Sequence, residues 1–225
     1  MDEINPIYIF IAEIVPLIAT LFSLMYGLFH FFKKGKPIFL QSITMAMASY
    51  AFGSIYHLCL IFTRDTIVEG FTPAYLGRIG FFMFFITASY GQLDRIVDDR
   101  SAQMRTARFT AFIAPICASL MYIPNCVSDA PCSTKISYAL IWIPAVAAVY
   151  FNLKHAIIPD LDFGFIKAIK PYNVFTLSLC LSELAMLTAW NYMDGPWMAA
   201  MSIIFSILCV CTIISAKRGA DKWTI

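Results

Sequence analysis

The chain has 225 residues, of which 60% are hydrophobic and only 13% are charged. Its mean hydropathy of +0.74 is far above that of an ordinary soluble domain, so the sequence predicts a protein surrounded by membrane lipid. The net charge of +2 is too small to attract a nucleic acid. No nucleotide-binding, metal-binding or nucleophile motif occurs in the sequence, so no cofactor is expected.

Apolar segments long enough to cross a bilayer recur along the chain. They lie at about residues 7–32, 37–62, 74–93, 109–123, 136–153, 174–190 and 197–215. Because an α-helix needs about 20 mostly apolar residues to cross the hydrocarbon layer, this pattern predicts an all-α, polytopic integral membrane protein. We expect a seven-transmembrane-helix bundle that forms a single domain over residues 1–225. The fourth segment is the shortest and needs residues from its flanks to reach across.

Lysine and arginine are distributed unevenly between the predicted loops. If the N-terminus is outside, only Arg64, Arg78 and Lys135 of the 16 basic residues lie on the outer side. Cytoplasmic loops retain positive charge during insertion, so the N-terminus is predicted outside and the C-terminus in the cytoplasm. The membrane is then expected to be a plasma or inner membrane.

Prolines and Lys-Pro pairs suggest an internal repeat. Pro16 and Pro144 lie within spans one and five, and Lys36-Pro37 and Lys170-Pro171 open spans two and six. With span four as a linker, this gives a 3+1+3 arrangement of parallel repeats. In topology, length and proline placement it resembles the small sugar transporters of the SWEET and PQ-loop class, although the Pro-Gln dipeptide that marks the class is absent. Chance similarity between apolar segments is the alternative explanation.

Two cysteines, Cys126 and Cys132, share the predicted outer loop between spans four and five. They would close a short loop in an oxidising compartment, so a disulfide between them is predicted. The other five lie within predicted spans, where small polarizable core residues are expected.

Glu183 lies in the interior of the sixth span. An acidic side chain near the middle of a span costs roughly 2.5–3.5 kcal/mol, so it usually faces a protein interior or a wet cavity and has a partner. On a helix Thr176, Cys180, Leu187 and Trp190 share its face, which predicts a partly polar stripe turned toward the bundle.

Four ionisable residues are predicted at one depth. Measured at 1.5 Å per residue, Glu13, His57, Arg78 and Glu183 all lie roughly 6–11 Å below the outer boundary. We expect them to converge on a polar pocket, open to the outer side, that binds a small polar or amphipathic ligand. Further lining residues are predicted to be Ser54, Tyr56, Trp190 and Asn191. A purely structural ion-paired cluster is the main alternative; a metal site is not predicted, because one histidine with two distant carboxylates is a poor zinc signature.

Charges also alternate at the inner end of span three, where Asp94, Asp98 and Asp99 are interleaved with Arg95 and Arg100. An ion-paired helix end, in which Asp94 is held by the two arginines, is one interpretation. A site for a cation, or for a diphosphate bound through Mg²⁺, is the other.

The expected function is that of a transporter or permease. A seven-helix receptor or sensor that signals through a partner protein is one alternative. A membrane-embedded enzyme acting on a lipid or polyprenyl substrate, with His57 and a glutamate as acid and base, is another; enzymatic activity is not favoured, because no recognised catalytic set is present. A homo-oligomer and a signalling partner are both compatible with the sequence.

Overall fold

The computed structural model describes residues 6–31, 37–64, 70–94, 102–158, 164–192 and 194–223. All regular secondary structure within these ranges is helical. The helices are α1 (Pro6–Phe31), α2 (Ile38–Arg64), α3 (Pro73–Ile86), α4 (three consecutive short helices, Ala102–Ala111, Ile113–Leu120 and Ile123–Val127), α5 (Cys132–Ala156), α6 (Gly164–Tyr192) and α7 (Gly195–Trp223). Helix α3 continues directly as a π-helix over Thr87–Asp94.

In the described part of the chain, 6 helices are long and apolar enough to cross a membrane. They are Ile7–His30, Ile38–Thr63, Met104–Val127, Cys132–Ala156, Lys167–Tyr192 and Gly195–Lys222, and their mean hydropathies run from 1.3 to 2.4. Over the residues described, the chain is therefore all-helical, and the length and composition of its helices are those of an integral membrane protein. Helix α3 is not among the 6, since its α-helical part has only 14 residues and carries Arg78. The count of seven spans stays a prediction.

Helices α6 and α4 differ from the predicted spans, α6 in where it begins and α4 in being interrupted. Helix α6 begins at Gly164, ahead of the predicted start at residue 174, and continues through Pro171. Helix α4 gains residues at both flanks of the predicted 109–123 but is interrupted at Phe112 and at Met121. Pro115 and Pro124 have no N–H group, so the carbonyl groups four residues before them lose their helical hydrogen-bond donors. Each interruption comes directly after one of these carbonyl groups.

The helices other than α4 form a ring. Each packs on its neighbours in the order α1, α2, α3, α5, α6 and α7, and α7 closes the ring against α1. Helix α4 lies outside this ring on α5, and its last short helix reaches α6. The buried side chains lie inside the ring, and the large apolar side chains on its outer faces are exposed to the surroundings.

A close backbone contact joins α2 to α3. A Cβ atom added to Gly77 would lie 2.6 Å from Gly53 Cα and 2.6 Å from the Ser49 carbonyl oxygen. The Ser49 hydroxyl group donates a hydrogen bond to the Gly77 carbonyl at 3.0 Å. Small residues allow membrane helices to approach this closely. The contact holds the first turns of α3 against α2, at the residue immediately before Arg78.

The proline in α1 lies one turn from Glu13. Pro16 has no N–H group, so the Ala12 carbonyl loses its helical donor. The Ser202 hydroxyl group of α7 lies 3.3 Å from that carbonyl oxygen and 2.7 Å from the Met198 carbonyl oxygen of its own helix. The single hydroxyl hydrogen can be donated to either carbonyl, so a neighbouring helix places a donor within reach of the carbonyl group freed by the proline, beside Glu13.

The structure contains no disulfide between Cys126 and Cys132, so the disulfide prediction is not supported: both are free and exposed. Hydrogen bonds hold this connection instead. Lys135 Nζ donates to the Cys126 carbonyl at 2.9 Å, and the Tyr122 hydroxyl group donates to the Lys135 carbonyl at 2.7 Å. The loop is therefore closed without a covalent link.

Candidate functional site

Ionisable and hydroxyl side chains from four helices meet inside the ring, toward the end predicted to face outside. This outer ionic cluster consists of Glu13 from α1, Tyr50 and His57 from α2, Arg78 from α3 and Glu183 from α6. The structure therefore brings together the four ionisable residues that the sequence predicts at one depth.

Glu183 is the most enclosed member of the cluster, with 0% of its surface exposed. Its Oε1 atom lies 2.9 Å from Nε of Arg78, and its Oε2 atom accepts a hydrogen bond of 2.9 Å from the Tyr50 hydroxyl group. The Tyr50 ring is held in place by Phe81 and Phe205, at centroid distances of 5.1 and 4.8 Å. The carboxylate is thus hydrogen-bonded to α2 through Oε2, whereas Oε1 is ion-paired with Arg78 of α3 by distance without forming a hydrogen bond of good geometry.

A second pair of basic and acidic side chains joins His57 to Glu13. Nδ1 of His57 lies 2.9 Å from Oε1 of Glu13, whose side chain is 3% exposed, whereas that of His57 is 18% exposed. The imidazole ring meets the indole ring of Trp190 edge to face at 5.9 Å. Trp190 Nε1 is buried and has no hydrogen-bond partner among the described residues.

The two pairs share one electrostatic environment. The charge of Glu13 acts on Tyr50, Arg78 and Glu183 as well as on His57. With both glutamates ionised, the cluster carries one net negative charge when His57 is neutral and none when it is protonated. A single proton therefore decides whether the cluster is charged, in a region where charge is costly.

The remaining predicted lining residues are divided between separate places. Trp190 contacts His57, and Ser54 is buried on α2. Asn191 instead donates a hydrogen bond of 2.7 Å to the Ser128 hydroxyl group after α4. Tyr56 is exposed and faces away from the cluster, into a groove of about 360 Å³ on the α2–α3 contact. That groove is lined by Ser49, Phe52, Gly53, Tyr56, Pro73, Leu76 and Gly77.

The outer ionic cluster is closed in this structure. Glu183, Glu13 and Arg78 are all buried, and the partial exposure of the His57 side chain marks the nearest approach from the surroundings. The polar pocket open to the outer side that the sequence predicts is therefore not open here, and its existence stays a prediction.

A second cluster lies at the opposite, predicted inner end. Asp94 Oδ1 lies 2.5 Å from Lys154 Nζ and 3.1 Å from His155 Nε2, and both basic side chains are buried. We call these three residues the inner ionic cluster. Asp94 lies one residue beyond the predicted span 74–93. Burial raises the pKa of its carboxyl group, but the hydrogen bonds and charges of His155 and Lys154 outweigh it, so that pKa is lowered.

Sequence reasoning missed this inner pairing. It paired Asp94 with Arg95 and Arg100, which lie outside the described residues, as do Asp98 and Asp99. The sequence nevertheless contained a signal for it. Asp94 follows the third predicted span and Lys154-His155 follows the fifth, and both places are on the predicted inner side. Sequence alone did not say that α3 and α5 are neighbours.

Among the described residues, no group of three or more His, Cys, Asp or Glu side chains is placed to hold a metal ion. Comparison of the chain with protein-family models, with curated proteins and with solved structures finds no match. The evidence for a function is therefore the geometry of the two ionic clusters.

Proposed function

We propose that the protein is a transporter or permease for a small polar or amphipathic solute, and that the outer ionic cluster binds this solute. The observation that carries the proposal is the pairing of two buried carboxylates, Glu13 and Glu183, with basic side chains from other helices, His57 and Arg78. Ionisable residues within membrane helices are rare, and they mark substrate and ion pathways.

The energetic argument favours a functional cluster over a structural one. Burying an ion costs several kcal/mol even after relaxation, and apolar side chains of similar volume often stabilise a protein as well as a buried ion pair does. In lipid, an all-apolar interior would hold these helices together without Glu183 or Arg78. A functional role explains their presence: a bound solute takes the place of one member of the pair beside the other.

The net charge of the cluster indicates which solutes it would accept. When His57 is neutral, the two carboxylates outnumber the single guanidinium group of Arg78. A solute with a cationic or hydrogen-bond-donating group can then replace Arg78 beside Glu183, whereas an anionic solute meets excess negative charge. The unpartnered Nε1 of Trp190 offers a donor to an acceptor group of the same solute.

The order of helices around the ring supports the 3+1+3 arrangement. Helices α1, α2 and α3 follow one another, as do α5, α6 and α7, and α4 lies outside both sets. A rotation that exchanges the two sets keeps every neighbour relation around the ring. Glu183 comes from the second set and its partners Tyr50 and Arg78 from the first, so the cluster lies between the halves, where transporters built from repeats bind their substrates.

We further propose that α3 and its π-helical continuation as far as Leu93 form the seventh span, so that the N-terminus is outside and the C-terminus cytoplasmic. The backbone N–H of Gly70, just before α3, donates to the Thr134 hydroxyl group near the start of α5 at 3.3 Å. At the other end, Asp94 pairs with Lys154 near the end of α5. Because α5 is long enough to cross a membrane, a segment that runs beside it from end to end crosses as well.

The test is uptake into proteoliposomes from a panel of radiolabelled amines, polyols and carboxylates. We expect uptake of a cationic or polyhydroxylated solute by the wild-type protein and loss of that uptake in Glu183→Gln. Asp129→Asn is the matched control, because Asp129 is an exposed carboxylate on the loop after α4. Uptake by Glu183→Gln at the wild-type rate, or no uptake of any solute, would contradict the proposal; saturable binding without uptake would favour the receptor.

A further inference from the structure

Buried hydroxyl groups that are only loosely paired lie on α6 between the two ionic clusters. Tyr172 and Thr176 are each 0% exposed, and their hydroxyl groups lie near each other, and that of Tyr172 near Ser89, without forming a hydrogen bond of good geometry with any described residue. The Asn173 Oδ1 atom beside them is also buried and unpartnered. Unpaired polar groups in an interior are costly, and internal water molecules commonly satisfy them.

These groups form the part of the α6 stripe that lies on the predicted inner side of Glu183. Tyr172, Thr176, Cys180 and Glu183 are spaced by four, four and three residues, so they share one face of α6, and all are fully buried. From Tyr172 to Glu183 the stripe extends about 16 Å along the helix axis. The polar groups therefore continue from the outer ionic cluster well into the bundle.

The stripe meets polar side chains of α3 and α5 at its inner end. The Tyr172 hydroxyl group lies near those of Thr176 and Ser89. Ser89 in turn lies 3.4 Å from Asn152 Oδ1, and both Ser89 and Asn152 are 0% exposed. Asn152 precedes His155 by three residues on α5, so the two share a helix face.

The π-helix explains how Ser89 and Asp94 are brought into line. They are five residues apart, and in an α-helix that spacing puts two side chains on different faces. A π-helix closes its hydrogen bonds from residue i to residue i+5 and has more residues per turn than an α-helix, so residues five apart lie closer to one face. Because Thr87–Asp94 is π-helical, Ser89 and Asp94 can both turn toward α5, where they meet Asn152 and the Lys154–His155 pair.

We propose that this line of buried polar groups, completed by internal water at Tyr172 and Thr176, is a proton pathway between the outer and inner ionic clusters. A proton enters at the partly exposed His57, is held by Glu13 or Glu183, and passes through hydroxyl groups and water to Asp94 and His155. Each hydroxyl group accepts one proton and releases another, so only the ionic clusters change charge. The inference deepens the proposed function, since it names protons as the ions coupled to the solute.

The groups that set the charge at each end are the members of the two clusters. Facing Glu183 are Arg78 from α3, Tyr50 from α2 and Glu13 from α1, with Cys180 on its own helix. With both glutamates ionised and His57 neutral, the cluster carries one net negative charge. One proton, bound at His57 or at a glutamate, therefore neutralises it.

At the inner end, Lys154 and His155 of α5 face Asp94. Among the described residues, Asp94 and His155 are placed there to accept the proton, and the neighbouring Lys154 ammonium favours its onward release. The pathway therefore has a proton acceptor at both ends.

The probe is the proton itself. Protein is reconstituted into liposomes that contain a pH-sensitive dye, and a K⁺ gradient with valinomycin sets the membrane potential that drives protons inward. We expect acidification by the wild-type protein and its loss, to the rate of protein-free liposomes, in Tyr172→Phe and in Thr176→Val, which remove the hydroxyl groups at nearly constant volume. Tyr90→Phe and Thr110→Val are matched controls, because both residues are exposed, and they should conduct as the wild type does.

The outcomes separate this inference from the proposed function. Proton flux that is equal in wild-type and protein-free liposomes, or unchanged in both Tyr172→Phe and Thr176→Val, overturns the pathway even if solute uptake is found. Proton flux that depends on both hydroxyl groups supports the pathway even if no solute is taken up, in which case only the transporter proposal fails. Size-exclusion elution and helical circular dichroism like those of the wild type establish that each variant is folded.

Discussion

Arg78 reaches Glu183 across the inside of the helix ring, with its Nε atom 2.9 Å from the glutamate Oε1 atom. The two residues come from α3 and α6, which are not neighbours in the ring, so the contact is made by long side chains. Glu183 is fully enclosed and Arg78 is 8% exposed. A charge pair thus joins α3 and α6 across the inside of the ring.

The first prediction concerns this pair. Glu183→Gln keeps the volume of the side chain but leaves the guanidinium group of Arg78 with only Glu13 nearby, so we expect a loss of stability of about 1–3 kcal/mol. The double variant Arg78→Met with Glu183→Leu removes both charges, and most of that loss should be regained. Denaturation followed in detergent measures both effects.

Uptake by the same two variants separates structure from function. If the pair serves transport, the double variant is stable and inactive. A double variant that is as unstable as Glu183→Gln would indicate that packing, and not unpaired charge, is what the substitution disturbs.

The hydrophobic pattern and the cost of buried charge predicted much of this site. Placing Glu183 on an inward stripe required only helical periodicity, and Thr176, Cys180, Leu187 and Trp190 on that stripe are buried. All the predicted apolar segments except the third, at 74–93, also correspond to helices that are long and apolar enough to cross a membrane.

What could not be predicted depended on which helices are neighbours. Tyr50 looks like an ordinary core aromatic in the sequence, and only the packing of α2 against α3 and α7 brings its hydroxyl group to Glu183. The π-helix at Thr87–Asp94 has no distinct sequence signal either. Tyr56 and Asn191 were assigned to the pocket by depth alone, and depth does not say which way a side chain points around its helix.

A second prediction tests the close approach of α2 and α3. Gly77→Ala would place a Cβ atom 2.6 Å from Gly53 Cα, and backbone atoms cannot move aside as a flexible side chain can. We expect a loss of stability of about 1–3 kcal/mol, as for other overpacked sites. Gly91→Ala is the matched control, because the nearest atom to its added Cβ would be 3.9 Å away. Equal melting temperatures for the two variants would show that this contact adapts easily.

A third prediction follows from the inner ionic cluster. The lowered pKa of Asp94 means that its ionised form is favoured by folding. The resulting stability is fully present above the unfolded-state pKa of about 3.9 and is lost as the pH falls below that value, through the folded-state pKa. Asp94→Asn should remove this contribution, so its melting temperature should change less than that of the wild type over this acid range. Asp129→Asn, at an exposed position, should follow the wild-type curve; parallel curves for Asp94→Asn and the wild type would be evidence against the pairing.

The last prediction addresses orientation through the two free cysteines of the loop between α4 and α5. Cys126 and Cys132 are exposed and unlinked, and the distribution of lysine and arginine puts their loop on the outer side. A membrane-impermeant maleimide added to intact cells should therefore label both thiols without prior reduction, and Cys126→Ser with Cys132→Ser should abolish that labelling. The other cysteines serve as an internal control, because those on the outer faces of the helices, Cys59 and Cys117, are predicted to face lipid, which a membrane-impermeant reagent does not enter. Labelling that appears only after the cells are permeabilised would reverse the orientation, and labelling that requires a reductant would restore the disulfide.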